Sequence, residues 1–340
     1  MTTAEQSAVS DWLTDHLAGA GPVLSSEKFS GGQSNPTYRL TTPDTTYVLR
    51  RKPPGVLLKS AHAVDREFRV QRALAGSNVP VARMYALCEN DNVIGSAFYI
   101  MEEVQGRIFD DPRLPELAAD QRAAIMDEMN CVLAAVHDID LSATGLADYG
   151  PTGNYCQRQL DRWTTQYHTT QTGDLPAMTA LIDWLGDNMP DDDGQRTLVH
   201  GDYRLDNLLF APEGTNCRAV LDWELSTIGH PFADLASVIM QWQMPPGREG
   251  RGLAGVDRAA LGLWSDQQFI DAYCQRRGLK PIRNFNFYLA FCYFRMGAIL
   301  QGVKKRALDG NASDPDRALR LGAHVPEFAR QGLEAAKGAG

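Results

Sequence analysis

The sequence predicts an α+β protein with two lobes: an N-terminal antiparallel sheet with a helix, and a larger, mainly helical C-terminal lobe. The chain has 340 residues, of which 44% are hydrophobic and 22% are charged, and this length allows two separate cores. Strand-like segments separated by turns fill the N-terminal part, whereas apolar residues at helical spacing dominate afterwards. Because the composition changes between Glu102 and Gly106, we predict lobes at residues 1–103 and 104–340.

The charge and the cysteine pattern argue against several functional classes. The formal net charge is −9 at pH 7 and no basic stripe offsets it, so nucleic-acid binding is not expected. The six cysteines are scattered singly, with no C-x-x-C pair, which favours reduced thiols over a zinc site. The sequence contains neither a membrane-span pattern nor a secretory signal pattern. We expect a soluble cytoplasmic protein.

The N-terminal lobe begins with a predicted amphipathic helix at residues 4–18, where apolar residues recur at helical spacing. Strand patterns follow at residues 45–55, 83–88 and 97–101, and a helix pattern covers residues 63–75. Together these segments predict a mostly antiparallel sheet with one helix across it.

Residues 29–40, FSGGQSNPTYRL, contain a glycine-rich turn between strand-like segments. Glycine lets the backbone approach a ligand closely, and exposed amides in such a turn can hold phosphate oxygens. The spacing is not G-x-G-x-x-G, so a plain hairpin turn is the alternative on this pattern alone. The candidate phosphate-binding residues are Gly31, Gly32, Ser34 and Asn35.

A charge pair is expected between the strand at 45–55 and the helix at 63–75. Period-two alternation places Arg50 on the opposite strand face from Leu49. Glu67 lies on or beside the apolar stripe of the helix, where an unpaired carboxylate would be costly. Arg50 is its candidate partner, although Arg50 could also belong to a solvated basic strand end.

The C-terminal lobe is predicted to be mainly helical. Apolar spacing indicates helices in the regions 125–136, 178–185, 230–242, 265–275, 284–301 and 325–336. Pro231 suits the first turn of one of these helices. The sequence contains no internal repeat.

The stretch 198–224, LVHGDYRLDNLLFAPEGTNCRAVLDWE, is predicted to form a hairpin that presents acidic and amide side chains. Asp202 and Asn207 precede one short apolar run, and Asp222 follows the next. Carboxylate and amide oxygens are ligands that Mg²⁺ accepts in proteins. The stretch therefore predicts a magnesium site with a hydroxyl positioned beside it.

The motif His200-Gly201-Asp202, with Asn207 five residues on and Asp222 downstream, resembles the aminoglycoside phosphotransferase-like (choline-kinase-like) family of small-molecule kinases. The resemblance covers nearly the whole chain and implies a bilobal protein-kinase-like fold. The segments HGDYRLDN, LDWE and YVLRRKPPG are most similar to kinase domains related to those fused to some acyl-CoA dehydrogenases.

The resemblance implies roles for the residues of this motif. Asp202 would accept or orient the proton of the acceptor hydroxyl, and Arg204 could stabilise charge on the transferred phosphoryl group. Asn207 and Asp222 would hold Mg²⁺. Glu224 would be a further metal or water ligand, with a surface carboxylate as the alternative.

The resemblance also implies an ATP site in the N-terminal lobe. Arg50 would bind the α- and β-phosphates with Glu67 orienting it, and residues 31–35 would cover the phosphates. The interlobe residues whose backbone would meet adenine are Met101, Glu102 and Val104.

Two further residues would support the catalytic loop. Asp234, in the segment PFADLA, resembles the aspartate that braces this loop by hydrogen bonds, and His200 would have a supporting role beside it. His230 is given no catalytic role, since a solvent-facing or helix-capping histidine is the simpler interpretation.

The leading interpretation is an enzyme that uses ATP and Mg²⁺ to phosphorylate a hydroxyl of a small molecule. The resemblance favours a hydroxyacyl-CoA or hydroxy acid, whose anionic groups would suit arginines such as Arg158, Arg162 or Arg295. An aminoglycoside-type acceptor is the other candidate. The alternative function is a nucleotide-binding pseudokinase or scaffold with little turnover, which the arginine at position 50 and the unusual glycine loop motivate.

Overall fold

The computed structural model describes residues 1–29, 35–53, 63–247, 251–312 and 314–338. The chain forms two units, each made of separate stretches. The first unit consists of Met1–Asp110, Asp127–Ala147 and Arg204–Ser226. The second unit consists of Asp111–Met126, Asp148–Tyr203 and Thr227–Gly340. Both units are discontinuous in the chain, and the division into lobes at residue 103 stays a prediction.

Five strands of the first unit form an antiparallel sheet: β1 Ser25–Lys28, β2 Thr37–Thr41, β3 Thr46–Arg51, β4 Met84–Cys88 and β5 Phe98–Glu102. Their order in the sheet is β1-β2-β3-β5-β4. Every neighbouring pair is antiparallel, which confirms the predicted N-terminal sheet. Because β5 lies between β3 and β4, side chains that are about fifty residues apart in the chain meet in the middle of the sheet.

Helices cover both faces of this sheet. Helix α1, Thr3–His16, packs Leu13 into a core that also contains Leu49 of β3. Helix α2, Val64–Leu74, contributes Phe68 to a second core on the opposite face, together with a side chain of β5. Alternation along β3 therefore sends Leu49 towards α1 and its neighbour in sequence, Arg50, towards α2.

Two short antiparallel strand pairs are formed by residues that flank the HGD motif in the sequence. In the first unit, β7 Leu208–Phe210 pairs with β8 Cys217–Val220, as the predicted hairpin requires. In the second unit, β6 Thr197–Val199 pairs with β9 Thr227–Gly229. The sequence does not predict β9: the three residues of β7 are all apolar, whereas β9 contains one large apolar residue, Ile228.

Helices make up most of the second unit. The helices that follow α2 within the described ranges are α3 Ala119–His137, α4 Tyr155–Thr170, α5 Pro176–Asp187, α6 Phe232–Trp242, α7 Arg258–Leu261, α8 Asp266–Arg276, α9 Phe285–Leu308, α10 Pro315–Gly322 and α11 Val325–Ala336. Those from α4 onwards belong to the second unit, whereas α3 is divided between the two units. Helix α9 has 24 residues and contacts α4, α5, α6, α10 and α11. This helix is buried along much of its length, through residues such as Phe287, Phe291 and Phe294. No helix in the described ranges combines the length and apolarity needed to cross a membrane.

Gly106 allows the chain that leaves β5 to approach β7 closely. The backbone of the next residue, Arg107, exchanges two hydrogen bonds with Phe210, at 2.8 and 2.9 Å. A Cβ at position 106 would overlap the carbonyl oxygen of Phe210. We expect Gly106→Ala to lower the free energy of unfolding by about 1–3 kcal/mol, because two paired backbone segments cannot move apart cheaply.

Gly186→Ala is the control for this substitution, and urea unfolding is the measurement. Gly186 is an exposed residue of α5, and no atom in the described chain lies within 4 Å of a Cβ placed there, apart from the helix's own backbone. Alanine should stabilise the helix by about 0.5–1 kcal/mol. If Gly106→Ala were as stable as the parent protein, the close approach would be wrong.

Candidate active site

A buried ion pair joins the sheet to helix α2. Arg50 leaves β3 on the face that α2 covers, and its Nε lies 2.8 Å from Oε2 of Glu67. The side chains are 11% and 1% exposed. This contact is an ion pair without the alignment of a hydrogen bond. The predicted pairing of Arg50 with Glu67 is confirmed, and a solvated strand end is excluded for Arg50.

The carboxylate of Glu67 also receives hydrogen bonds from two neutral side chains. Asn35 donates its amide to Oε1 at 2.6 Å, and Tyr99 donates its hydroxyl to Oε2 at 3.0 Å. Burial raises the pKa of Tyr99 well above its ordinary value, which keeps the hydroxyl protonated and able to donate. Burial also raises the pKa of Glu67, and the Arg50 guanidinium opposes that shift.

The guanidinium of Arg50 extends from Glu67 to the end of strand β8. Its Nη2 donates to Oδ1 of Asp222, and Oε2 of Glu224 lies 3.9 Å away. Burial would lower the pKa of Arg50, but the carboxylates of Glu67, Asp222 and Glu224 help to raise it overall, so the side chain is charged at all physiological pH values. The three carboxylates and the arginine form one polar cluster within the first unit.

Asn207 and Asp222 lie at neighbouring ends of the β7–β8 hairpin. Asn207 ends a 3₁₀ turn, Leu205–Asn207, directly before β7. Its carbonyl accepts a hydrogen bond of 2.8 Å from the amide of Leu221, the residue before Asp222. Asp222 has a left-handed backbone, with φ of +64°, at the start of the turn Trp223–Leu225. This left-handed backbone turns the chain away from the strand direction at Asp222, two residues after the end of β8.

The oxygen donors of this hairpin fit the chemistry of Mg²⁺. Asn207 supplies an amide oxygen, and Asp222 and Glu224 supply carboxylates. Mg²⁺ prefers oxygen ligands and commonly uses one or two carboxylates together with phosphate oxygens. Among the described residues, no group of three or more His, Cys, Asp or Glu side chains could hold a metal.

The HGD segment belongs to the second unit and is held by Asp234. The Asp234 carboxylate accepts hydrogen bonds from the amides of His200, at 2.6 Å, and Gly201, at 2.9 Å. The amide of Asp202 donates to Nδ1 of His200 at 3.3 Å. Gly201 has a φ of +84°, which a residue with a side chain rarely adopts. The backbone that carries Asp202 is thus fixed by specific polar contacts.

Arg204 and the three residues predicted to contact adenine belong to the first unit. The Nε of Arg204 lies 3.2 Å from Oδ1 of Asp206. Met101 and Glu102 end strand β5, and Val104 follows the strand. The predicted glycine turn is only partly within the described ranges: Asn35 belongs to them, whereas Gly31, Gly32 and Ser34 lie outside.

His230 is buried. Of the two roles expected for it, solvent-facing or helix-capping, burial allows only the second. Its Nδ1 accepts a hydrogen bond of 3.3 Å from the amide of Phe232, the first residue of α6, as a capping histidine would. Its ring stacks on Tyr288, and Nε2 lies 3.4 Å from Asp193. A solvent-facing position is therefore wrong for His230.

The sequence did not identify Tyr99 as a partner of Glu67. It predicted phosphate binding for Asn35 but not the contact of Asn35 with Glu67. Tyr99 is the cross-strand partner of Arg50, because β5 is the sheet neighbour of β3. The order of strands in the sheet was the missing information. With that order known, alternation along β5 would have placed Tyr99 on the α2 face.

The fold described above matches that of a solved aminoglycoside phosphotransferase. The crystal structure of aminoglycoside phosphotransferase APH(4)-Ia with AMP-PNP and hygromycin B matches with a TM-score of 0.62, over 96% of this chain and 98% of that chain. The two sequences are 19% identical, so this likeness concerns the fold. It confirms the predicted kinase-like α+β fold.

The family follows from the sequence match. Residues 25–273, most of the chain, match the family described as "Phosphotransferase enzyme family". The chain therefore belongs to the phosphotransferase enzyme family, and its class is that of small-molecule kinases, as the motifs predict.

Other proteins of known structure or sequence are more similar to this chain than APH(4)-Ia is. A Ralstonia eutropha protein of known structure, assigned as an aminoglycoside phosphotransferase, is 50% identical with a TM-score of 0.90, and the match covers 98% of each chain. Mouse acyl-CoA dehydrogenase family member 10 is 48% identical over 302 residues, which are 88% of this chain and 28% of that protein. Human family member 11 is 42% identical over 335 residues, which are 96% of this chain and 42% of that protein. The chain thus spans less than half the length of these curated relatives.

We expect Glu67→Gln to lower the free energy of unfolding by about 3 kcal/mol, measured by denaturant unfolding at neutral pH. The substitution leaves Arg50 without its buried counter-charge, and the new amide group would face the donors of Asn35 or Tyr99. Asp65→Asn is the control on the same helix, since Asp65 is 3.7 Å from Lys52 in an exposed pair. Its effect should stay below about 1 kcal/mol. Equal effects of the two substitutions would contradict the importance of the buried pair.

Proposed function

We propose that this chain transfers the γ-phosphoryl group of ATP to a hydroxyl group of a small molecule, with Mg²⁺ as the metal. The observation that carries the proposal is the buried Arg50–Glu67 pair, whose guanidinium also reaches Asp222. A planar guanidinium fixed beside oxygen donors is suited to phosphate, because its fork can bind two phosphate oxygens. Phosphoryl transfer depends mainly on such positioning and charge neutralisation.

The first unit would hold the nucleotide. Arg50 would bind oxygens of the α- and β-phosphates while Glu67 keeps the guanidinium in place. Residues 31–35 would cover the phosphates, and backbone groups of the segment 101–104 would meet adenine. Solved structures of the same fold support this assignment, since APH(4)-Ia contains AMP-PNP and spectinomycin phosphotransferase contains ADP.

Asn207 and Asp222 are the proposed ligands of Mg²⁺. When bound, the metal would neutralise charge on the ATP phosphates. Asp222 is 31% exposed and already faces the cation of Arg50, so its carboxylate is accessible and oriented towards positive charge. Glu224, at 20% exposed, would hold a metal-bound water or remain beside Arg50.

Asp202 is the proposed group that receives or orients the acceptor proton. The acceptor oxygen bonds to the γ-phosphorus as the bond to ADP breaks, and its proton passes to the Asp202 carboxylate. Hydrogen bonds from His200 and Gly201 to Asp234 restrain the backbone on which Asp202 lies. Such restraint supports catalysis because small displacements of a reacting group lower the rate strongly. Arg204 would stabilise charge on the transferred group.

The acceptor is proposed to be a hydroxyacyl-CoA or a hydroxy acid, with an aminoglycoside-type compound as the other candidate. The first choice rests on the 42–48% identity to acyl-CoA dehydrogenase family members 10 and 11, whose names indicate acyl-CoA chemistry. The second rests on the name assigned to the Ralstonia eutropha protein.

A mass-spectrometric screen would decide between these acceptors. The purified chain would be incubated with Mg²⁺·ATP and panels of hydroxyacyl-CoAs, hydroxy acids, aminoglycosides, choline analogues and sugars. We expect a mass gain of one phosphoryl group in the hydroxyacyl or hydroxy-acid panel. Phosphorylation confined to aminoglycosides would overturn the proposed acceptor class but not the kinase activity.

The alternative function, a nucleotide-binding scaffold, makes a different prediction for the same preparation. Calorimetric binding of ATP with and without Mg²⁺ would be combined with single-turnover product analysis. Nucleotide binding without any phosphorylated product across all panels would favour the scaffold. The presence of Asp202, Asn207 and Asp222 together favours the kinase, since a protein without turnover has no need for all three.

We expect Asp202→Asn to lower kcat by about 10²–10⁴-fold with little change in ATP affinity, because the variant loses the proton acceptor and keeps the nucleotide site. Asp222→Asn should instead weaken the binding of Mg²⁺·ATP as well as turnover. Steady-state kinetics and calorimetry on both variants are the measurements. Unchanged turnover in Asp202→Asn would refute the proposed role of this residue.

A further inference from the structure

Arg295 contacts the carbonyl side of the segment that carries Asp202. This residue lies in the interior of helix α9, between the buried residues Phe294 and Gly297. Its Nη2 donates a hydrogen bond of 3.2 Å to the carbonyl oxygen of Gly201. An arginine in the middle of a mostly apolar helix therefore donates a hydrogen bond to a backbone carbonyl of the HGD motif.

Asp234 contacts N–H groups of this segment, and Arg295 contacts a C=O group of the same segment. Asp234, on α6, accepts from the amides of His200 and Gly201, whereas Arg295, on α9, donates to the Gly201 carbonyl. Helices α6 and α9 pack against each other within the second unit. An anion thus binds the N–H groups and a cation binds the C=O group of one short stretch of backbone.

This double contact bears on the backbone of Gly201, the residue that immediately precedes Asp202. Glycine has more backbone freedom than any other residue, and the φ of +84° at Gly201 explains why glycine is present. The same freedom would allow the peptide between Gly201 and Asp202 to rotate. Contact with its carbonyl oxygen restrains that rotation and so restrains the direction in which Asp202 leaves the chain.

The charge of Arg295 is well supported by its surroundings. Burial alone would lower the pKa of this arginine, but neighbouring groups raise it overall, among them the carboxylates of Asp234 and Asp202. The Cys292 thiol and the Tyr155 hydroxyl are also near, and burial raises the pKa of each, so both are neutral at pH 7. The positive charge is therefore within electrostatic range of the Asp202 carboxylate as well as in contact with the backbone before it.

We propose that Arg295 is a positioning residue for phosphoryl transfer, which acts by fixing the Gly201 carbonyl and thereby the orientation of Asp202. The inference rests on the proposed function, since it takes Asp202 as the group that meets the acceptor hydroxyl. It differs from the role expected for Arg295 on sequence alone, where this arginine was a candidate contact of an anionic acceptor. Here its effect passes through Asp202 and is independent of the acceptor's charge.

The kinetic test compares Arg295→Met and Arg295→Lys. Arg295→Met should lower kcat at least about tenfold with the KM values for ATP and acceptor within about twofold, because binding groups remain and orientation is lost. Arg295→Lys keeps the charge and one donor and should recover part of the lost kcat. A normal kcat with only a lower melting temperature would overturn the proposal, and so would a rise confined to the KM of the acceptor.

Arg122→Met is the matched control. Arg122 also donates to backbone carbonyls in the second unit, those of Leu114 and Leu261, at 2.9 and 3.1 Å. Neither carbonyl belongs to the HGD segment. The control should keep kcat within about twofold of the parent protein even if its stability falls. An equal loss of kcat in Arg122→Met and Arg295→Met would overturn a specific role for Arg295.

A readout without turnover separates this inference from the proposed function. Hydrogen–deuterium exchange of residues 198–203 should become at least about tenfold faster in Arg295→Met than in the parent protein or in Arg122→Met. Unchanged exchange in this segment would overturn the positioning role even in an active kinase. A different result would be faster exchange in Arg295→Met together with a parent protein that phosphorylates none of the tested compounds. That result would overturn the proposed function, and with it the catalytic role of the Arg295 contact.

Discussion

The buried carboxylate of Glu67 is the constraint on which the first unit depends. Removing a charge from water costs several kcal/mol unless partners replace the lost solvation. Three side chains do so here: Arg50 supplies the counter-charge, and Asn35 and Tyr99 donate hydrogen bonds. They come from β3, from the segment before β2 and from β5. The sheet must therefore be assembled in its observed order for helix α2 to bury its glutamate.

The same constraint explains why an arginine suits position 50. Its Nε faces Glu67 while Nη2 donates to Asp222, so two edges of one planar group serve two carboxylates. A lysine ammonium is a single point charge without this planar fork, so it would not present two separate edges to the two carboxylates. Arginine at position 50 thus links the sheet to the β7–β8 hairpin through Asp222. Its presence is explained by these contacts, which weakens the case that arginine at this position signals a decayed kinase.

The sequence predicts those parts of the site that depend on local periodicity. Strand alternation at Arg50 and helical phase at Glu67 were sufficient to predict their contact, because each pattern is set within a few residues. The contacts of Tyr99 and Arg295 depend on which distant elements are neighbours, and a single sequence does not encode that in any short pattern. Helix α4 was also missed. Three of its four buried residues, Cys156, Leu160 and Tyr167, share one helical face, and the fourth, Tyr155, lies off it. Most of its other residues are polar, so the segment resembles a solvated stretch of chain.

The central claim, that the buried pair exists to bind nucleotide phosphates, is tested most directly by calorimetry on the double variant Arg50→Met/Glu67→Met. Replacing both charges by apolar side chains avoids an unpaired buried charge, so the variant should fold. We predict that its affinity for ADP, relative to adenosine, falls at least about tenfold from that of the parent protein, because the phosphate contact is lost and the adenine contact is kept. A folded double variant with an unchanged ratio of ADP to adenosine affinity would contradict the account.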